Sequence, residues 1–185
     1  MDLQHLTVKI FALENGIDLG DAIGVFQRWI QDSVCGELLI DVADYRHVPG
    51  GPGVLLVAHE ADYSLNGSGL EYRRTAAVEG GNQDKLLQAF FAALEACRRL
   101  EEDFGGSLIF DAGHCEVAVN DRLLAPNTEA TWQALLPDFR DFLDGLFGRG
   151  AYRIERTGEA RELFRVSIES ASFVPVASLL EQVAP

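Results

Sequence analysis

Lysine is almost missing from this chain. Of its 15 basic residues only Lys9 and Lys85 are lysines, set against 29 acidic residues for a formal charge of −14. Nucleic-acid affinity rests on phosphate neutralisation by Lys and Arg, so this balance argues against a DNA or RNA partner. It argues equally against an anionic membrane surface. Long apolar runs are missing too, and none approaches the roughly 20 residues of a membrane-spanning helix. Cysteine is scarce: Cys35, Cys97 and Cys115 are odd in number and show no CxxC spacing, so neither a disulfide framework nor a zinc site follows. Met1-Asp2-Leu3-Gln4-His5 lacks the basic and apolar regions of a secretory signal, and a reducing cytoplasm is the expected compartment. No GxSxG elbow, HExxH pair, Walker loop or GxGxxG fingerprint is present.

What is present is an ordinary globular composition, 48% hydrophobic and 24% charged. A chain of 185 residues suits one domain, large enough to bury roughly 70% of its unfolded surface without a staple. Leu6, Val8, Ile10 and Ala12 alternate with Thr7, Lys9 and Phe11, the period of a strand. Asp18 is placed to cap a helix carrying Ile23, Phe26, Ile30 and Val34 on one stripe, with Trp29 beside it and an end near Cys35-Gly36. Glu37–Val42 is a short strand, and Val54–Leu65 a long one, turned at Asn66-Gly67-Ser68-Gly69 and answered by Leu70–Val78.

Asn82 is placed to cap the strongest helix, in which Leu86, Phe90, Ala93, Cys97 and Leu100 repeat at helical spacing while Lys85 and Gln88 face water. Ser107–Phe110 and Cys115–Val119 form a hairpin across Asp111-Ala112-Gly113-His114. Pro126-Asn127-Thr128 opens a third helix that Pro137 must kink or restart. Tyr152 and Ile154, then Phe164, Val166 and Ile168, mark a last strand pair before a closing helix over Val176–Val183. The order is not a regular alternation of strand and helix. It predicts a single α+β domain, 1–185, with a mainly antiparallel sheet packed by about three amphipathic helices plus the short C-terminal one.

Residues able to do chemistry crowd between Glu37 and Val78. A turn at 66–69 pairs Tyr63 with Tyr72 and Asp62 with Arg73, and places His59 on an apolar face opposite Ala76. His59 and Glu60 are neighbours on a strand, point to opposite faces, and do not share one ion. The loop from His47 to Gly53 is a second region of interest. Tyr45, His47, Gly50, Gly51 and Gly53 are candidate ligand-binding residues, because glycines let a ligand approach the backbone and free N–H groups can cradle an anion. Arg122, beside Asp121 in a turn, is a further candidate contact at a cleft edge. Asp41, Asp44 and His47 at the loop mouth are a candidate metal set of carboxylate and imidazole donors. Arg149, Arg153, Arg156, Arg161 and Arg165 make the one locally basic stretch, a candidate for meeting an anion.

The functional expectation is a non-enzymatic cytoplasmic protein that binds a small molecule or a protein partner. One alternative is a small metal-assisted, hydrolase-like enzyme built on Asp41, Asp44 and His47. Another is a homodimer or larger assembly that covers the surplus apolar residues Phe11, Trp29 and Phe91. No cofactor is named by any motif.

Overall fold

The chain runs in the order β1 (Leu6–Asn15), α1 (Asp21–Asp32), β2 (Leu39–Tyr45), β3 (Gly53–Ala58), β4 (Ala61–Asn66), β5 (Gly69–Arg74) and α2 (Asn82–Asp103). It continues through β6 (Leu108–Val119), α3 (Glu129–Phe147), β7 (Tyr152–Thr157), β8 (Phe164–Ser170) and α4 (Val176–Val183). The computed structural model describes residues 1–183. All eight strands join one antiparallel sheet in the order β2-β3-β4-β5-β1-β6-β8-β7. This is the α+β architecture that the alternation of apolar residues predicts.

Strand alternation divides the sheet into a wet face and a dry one. One cross-strand row carries Ser64, Glu71, Lys9, Glu116, Ser167 and Glu155. The opposite face carries Tyr72, Val8, Ile10, Val117, Val166 and Ile168, all buried beneath the helices in one hydrophobic cluster. Helix α2 lies across β1, β5 and β6 and is flanked by α3 and α4; α1 packs on β2 and β3. Phe90 of α2 is fully buried against Phe142 of α3, ring centroids 5.0 Å apart. Truncating such a phenylalanine to alanine costs about 3–5 kcal/mol, transfer and cavity combined.

The register across the 66–69 turn is as the sequence predicts: Leu65 faces Leu70, Tyr63 faces Tyr72 and Asp62 faces Arg73. Arg73 and Asp62 form an ion pair. The long strand 54–65, however, is two strands. A tight turn at His59-Glu60 folds β4 back onto β3, so that Val54 faces Leu65 and Leu56 faces Tyr63. Leu55 and Val57 therefore lie on the face opposite Tyr63 and Tyr72, paired with Ser64 and Asp62. His59 sits exposed at the turn rather than in the core, and its backbone N–H donates to the Leu38 carbonyl at 2.8 Å.

The expected hairpin over 107–119 is instead the single strand β6. Asp111 to His114 form a bulge, opposite which the β1 partner steps from Ile10 to Phe11 while Cys115 steps to Asp111. The bulge is fixed from outside: the Asp111 carboxylate accepts from the N–H groups of Gly113 and Val174, and Ala112 N–H donates to the Val174 carbonyl. Helix α3 runs through Pro137 as one helix and does not restart there. The lost backbone bond falls at the carbonyl four residues back, on exposed Gln133, where water can replace it.

Helix ends and charged side chains also differ from expectation. Gly20 rather than Asp18 is the N-cap of α1, and the helix ends at Asp32 with Ser33 in the left-handed region. Gly81, bonded by the Asp84 carboxylate at 2.7 Å, precedes α2 in place of Asn82. Asn82 is used otherwise: its side chain holds Leu3 N–H and the Met1 carbonyl, pinning the first residues to the helix. Lys85 is buried, its ammonium paired with Asp2. Trp29 is buried as well, its indole N–H donating to Asp103 at 2.8 Å, and so offers no surface to a second copy.

Candidate functional site

Helix α2 presents Gln88, Phe91, Ala92, Glu95, Ala96 and Arg99 along one face, the 3–4 residue spacing of a helical stripe. This face does not close onto the sheet. Between it, Tyr63 of β4 and the α1–β2 connection at Val34–Glu37 lies a pocket of about 340 Å³. Apolar walls come from Val34, Phe91, Ala92 and Ala96, and Arg99 stands about three helical turns along α2 from the end formed by Glu37, Tyr63 and Gln88.

That end is organised by hydroxyls. The Gln88 side-chain amide donates to the Tyr72 hydroxyl at 2.8 Å, which donates to Glu37 Oε1 at 3.0 Å. Tyr63 donates to the same oxygen at 3.4 Å, and Arg74 stands 3.7 Å from it. Arg74 in turn holds Glu60 at 2.7 Å. The tyrosine pair thus carries Glu37 into the interior, where its side chain is 13% exposed.

Burial sets the protonation states. It pushes the Glu37 carboxyl above the ordinary glutamate range, opposed by the Tyr72 hydrogen bond and the Arg74 charge. It pushes both phenols up, with the Glu37 charge adding to the rise, so Tyr63 and Tyr72 are neutral donors. Cys35 at the rim is pushed up to about 11 by burial, so its thiol stays protonated at neutral pH and is a poor nucleophile.

Three side-chain atoms at this pocket are buried without a hydrogen-bond partner: Glu37 Oε2, Gln88 Oε1 and Arg99 Nε. Among the described residues only two other such atoms occur, Arg156 Nε and Thr157 Oγ1 at the β7 edge. A buried polar atom left unpaired costs about 1–3 kcal/mol, so native proteins carry few of them. Their concentration around one cavity is the most informative feature of the molecule.

The Gly/Pro loop lies elsewhere, between β2 and β3. Tyr45, Gly50, Gly51 and Gly53 do line a common open cleft of about 430 Å³, together with Lys9 and Ser68. Several polar groups in and around it are already engaged. Val48 N–H donates to the Tyr45 carbonyl and Gly51 N–H to the Val48 carbonyl, both at 2.9 Å. Asp44 is clasped by Arg46 at 2.7 and 2.9 Å, which holds its carboxyl down to about 2. Gly53 is structural: with φ of 74°, an added Cβ would stand 2.2 Å from the Leu65 carbonyl oxygen.

The His47 ring stacks on that of Tyr45, centroids 6.5 Å apart. Among the described residues no group of three or more His, Cys, Asp or Glu side chains is placed to hold a metal ion, the set Asp41, Asp44 and His47 included. Arg122 is exposed in the β6–α3 connection, outside this cleft, where Asp121 accepts from the N–H groups of Leu123 and Leu124 in a simple turn.

The basic stretch near the C-terminus is neutralised residue by residue. Arg149 pairs with Asp144, Arg153 with Glu155, Arg156 with Glu129, Arg161 with Glu159 and Arg165 with Glu116. Cys97 is fully buried, as its place on the apolar stripe of its helix predicts; Cys115 is fully buried too, and His114 stacks on Phe11 at 4.1 Å. No described helix is long and apolar enough to cross a membrane. Compared with known proteins, the chain matches no family model and no curated sequence.

Sequence reasoning misses Glu37, Gln88 and Arg99. The helical period puts Gln88 on the wet side of its helix, and Glu37 reads as a strand residue. The one available signal is register: Leu38 beside His59 places Glu37 at the end of the β3–β4 hairpin, next to Glu60 and Arg74.

Proposed function

We propose that this domain binds a small organic molecule in the pocket between α2 and the α1–β2 connection, without transforming it. The observation that carries this reading is that three residues lining one cavity with apolar walls, Glu37, Gln88 and Arg99, each hold a buried polar atom without a partner. Ligand sites combine such walls with a few placed polar groups, and an occupant that pairs those atoms recovers what folding leaves unpaired. A pocket of about 340 Å³ lies at the small end of the range for drug-sized ligands. Burial keeps the Cys35 thiol protonated and both phenols neutral, which disfavours nucleophilic catalysis at this pocket.

The test is a ligand-observed NMR screen of chemically diverse fragments against the wild type and Ala92→Phe, which fills the cavity from its helical wall. The reading predicts hits that Ala92→Phe abolishes while retaining the wild-type circular dichroism spectrum. A screen without a single Ala92→Phe-sensitive hit would refute it.

A further inference from the structure

The polar end of the pocket has a definite hydrogen-bonding and charge character. Two of its three unpaired atoms, Glu37 Oε2 and Gln88 Oε1, are acceptors, and they belong to the two side chains that flank the Tyr72 hydroxyl. Both side chains turn their other polar atom toward that hydroxyl, so each keeps one buried oxygen without a donor inside the fold.

Charge points the same way. Glu37 and Glu60 share one guanidinium, that of Arg74, which is 2.7 Å from Glu60 but 3.7 Å from Glu37. Arg98 and Arg99, the other nearby cations, are engaged by Glu95 at 2.8 Å, with Glu102 closing on Arg98. One carboxylate therefore goes without a full counter-charge, and it is the more enclosed one. A buried charge is costly unless paired and hydrogen-bonded.

We infer that the pocket selects a small organic cation bearing N–H donors, an amine, amidine or guanidine on an apolar body, with Glu37 and Gln88 as its acceptors. This rests on the pocket's being the ligand site. The cationic head pairs with Glu37 Oε2 and donates a second N–H to Gln88 Oε1. Phe91 and Ala92 receive the apolar body, and the Arg99 Nε–H is left for an acceptor atom on that body. Gln88 discriminates by geometry, Glu37 by charge. A carboxylate ligand is rejected because it would face two acceptors and an unneutralised anion. An arginine side chain of a peptide offers the same head group. The pocket's modest volume, about 340 Å³, favours the free molecule, and the peptide is an arm of the test.

Calorimetric titration at pH 7.5 with benzamidine, benzamide, benzoate and a short acetylated arginine peptide separates these cases. Benzamidine is expected to bind about tenfold to a hundredfold more tightly than benzamide, the difference a charged hydrogen bond makes, and benzoate not at all. Glu37→Gln keeps the acceptor for both tyrosines, removes the charge, and should bring benzamidine down to the benzamide level. Gln88→Leu should weaken benzamidine without removing its preference over benzoate. Equal binding of all three aromatic probes, still blocked by Ala92→Phe, overturns the cation assignment and leaves the pocket standing as a site. The cation assignment falls equally if the fragment screen gives Ala92→Phe-sensitive hits that are all neutral or anionic. Binding of the peptide but not of benzamidine overturns the small-molecule assignment.

Discussion

Two clefts compete for attention in this molecule, and they are opposites in how they treat polar groups. The loop cleft between β2 and β3 is rich in residue types associated with chemistry, yet the neighbouring Asp44 is clasped by Arg46 and the Val48 and Gly51 N–H groups are spent on local carbonyls. The pocket under α2 is lined by residues of modest appeal, yet three of its buried polar atoms have no partner. A ligand competes against water and against the protein's own hydrogen bonds. It gains most where the fold has removed water and provided nothing in exchange. Density of polar residues therefore says less than density of unmet polar atoms.

Closing each cleft in turn should separate them most strongly. Ala92→Phe should abolish fragment binding altogether, whereas His47→Ala should leave every hit in place; both are read by ligand-observed NMR. A reversal of that pattern moves the site to the loop.

The next effect is on stability. Gly53→Ala forces a side chain into a left-handed position with the Leu65 carbonyl in the way. It should cost about 1–3 kcal/mol in chemical denaturation. Gly50, with φ of 69° and open space around it, is strained only by its backbone and should cost about 1 kcal/mol as alanine. Neither change should alter benzamidine affinity, which marks these glycines as structural.

Glu37→Gln probes the other side of the contrast, because a side chain kept for a ligand is expected to weigh on the empty fold. Burial raises the folded-state pKa of Glu37 above the ordinary 4.5. The folded protein therefore binds that proton more tightly than the unfolded chain, a contribution complete below the ordinary value and lost as pH rises through the folded one. Thermal melts should show Glu37→Gln at least as stable as the wild type at pH 7, with the wild type regaining ground toward pH 4. A Glu37→Gln protein that is less stable at pH 7 than at pH 4, each relative to wild type, contradicts the assignment.

The smallest effect belongs to Asp44→Asn. Arg46 holds the Asp44 carboxyl down to about 2, below the ordinary 3.8, so its contribution is present above the ordinary value and lost as pH falls through the folded one. The pair is open to solvent, and the melting temperature should drop only slightly at neutral pH, the difference fading on acidification toward pH 2.

Legibility from sequence follows the same divide between local and tertiary causes. The Tyr63–Tyr72 register, the Asp62–Arg73 pair, strands β7 and β8 and helix α4 are all readable, because alternation, turn glycines and helical spacing are local signals. The His59-Glu60 turn is not, since Ala58-His59-Glu60-Ala61 contains no Gly, Pro or Asn to announce it. The segment Asp111–His114 carries a turn signal and becomes a bulge, because the Val174 backbone, the pairing of Asp111 with Phe11 of β1 and that of His114 with Glu169 of β8 hold it in the sheet. Lys85 reads as solvent-facing, and only the N-terminal segment, bringing Asp2 across it, buries the ammonium.

The candidate site suffers most from this limit. Its members come from the α1–β2 connection, α2, β4 and β5, and an unpaired atom is a property of the assembled fold that no single segment displays. The loop residues Tyr45, Gly50, Gly51 and Gly53 do gather around one cleft as the sequence suggests, because they are neighbours along the chain. That a cleft has unmet polar atoms is a separate fact, and only packing decides it.

A two-dimensional amide NMR map of wild-type protein titrated with benzamidine decides between the two clefts outright. Shifts are expected only at residues 34–37, 63 and 88–99, with the Gln88 side-chain amide among the most affected. Shifts centred instead on residues 45–53 and 66–68 would place the ligand in the loop cleft and contradict the assignment of the α2 pocket.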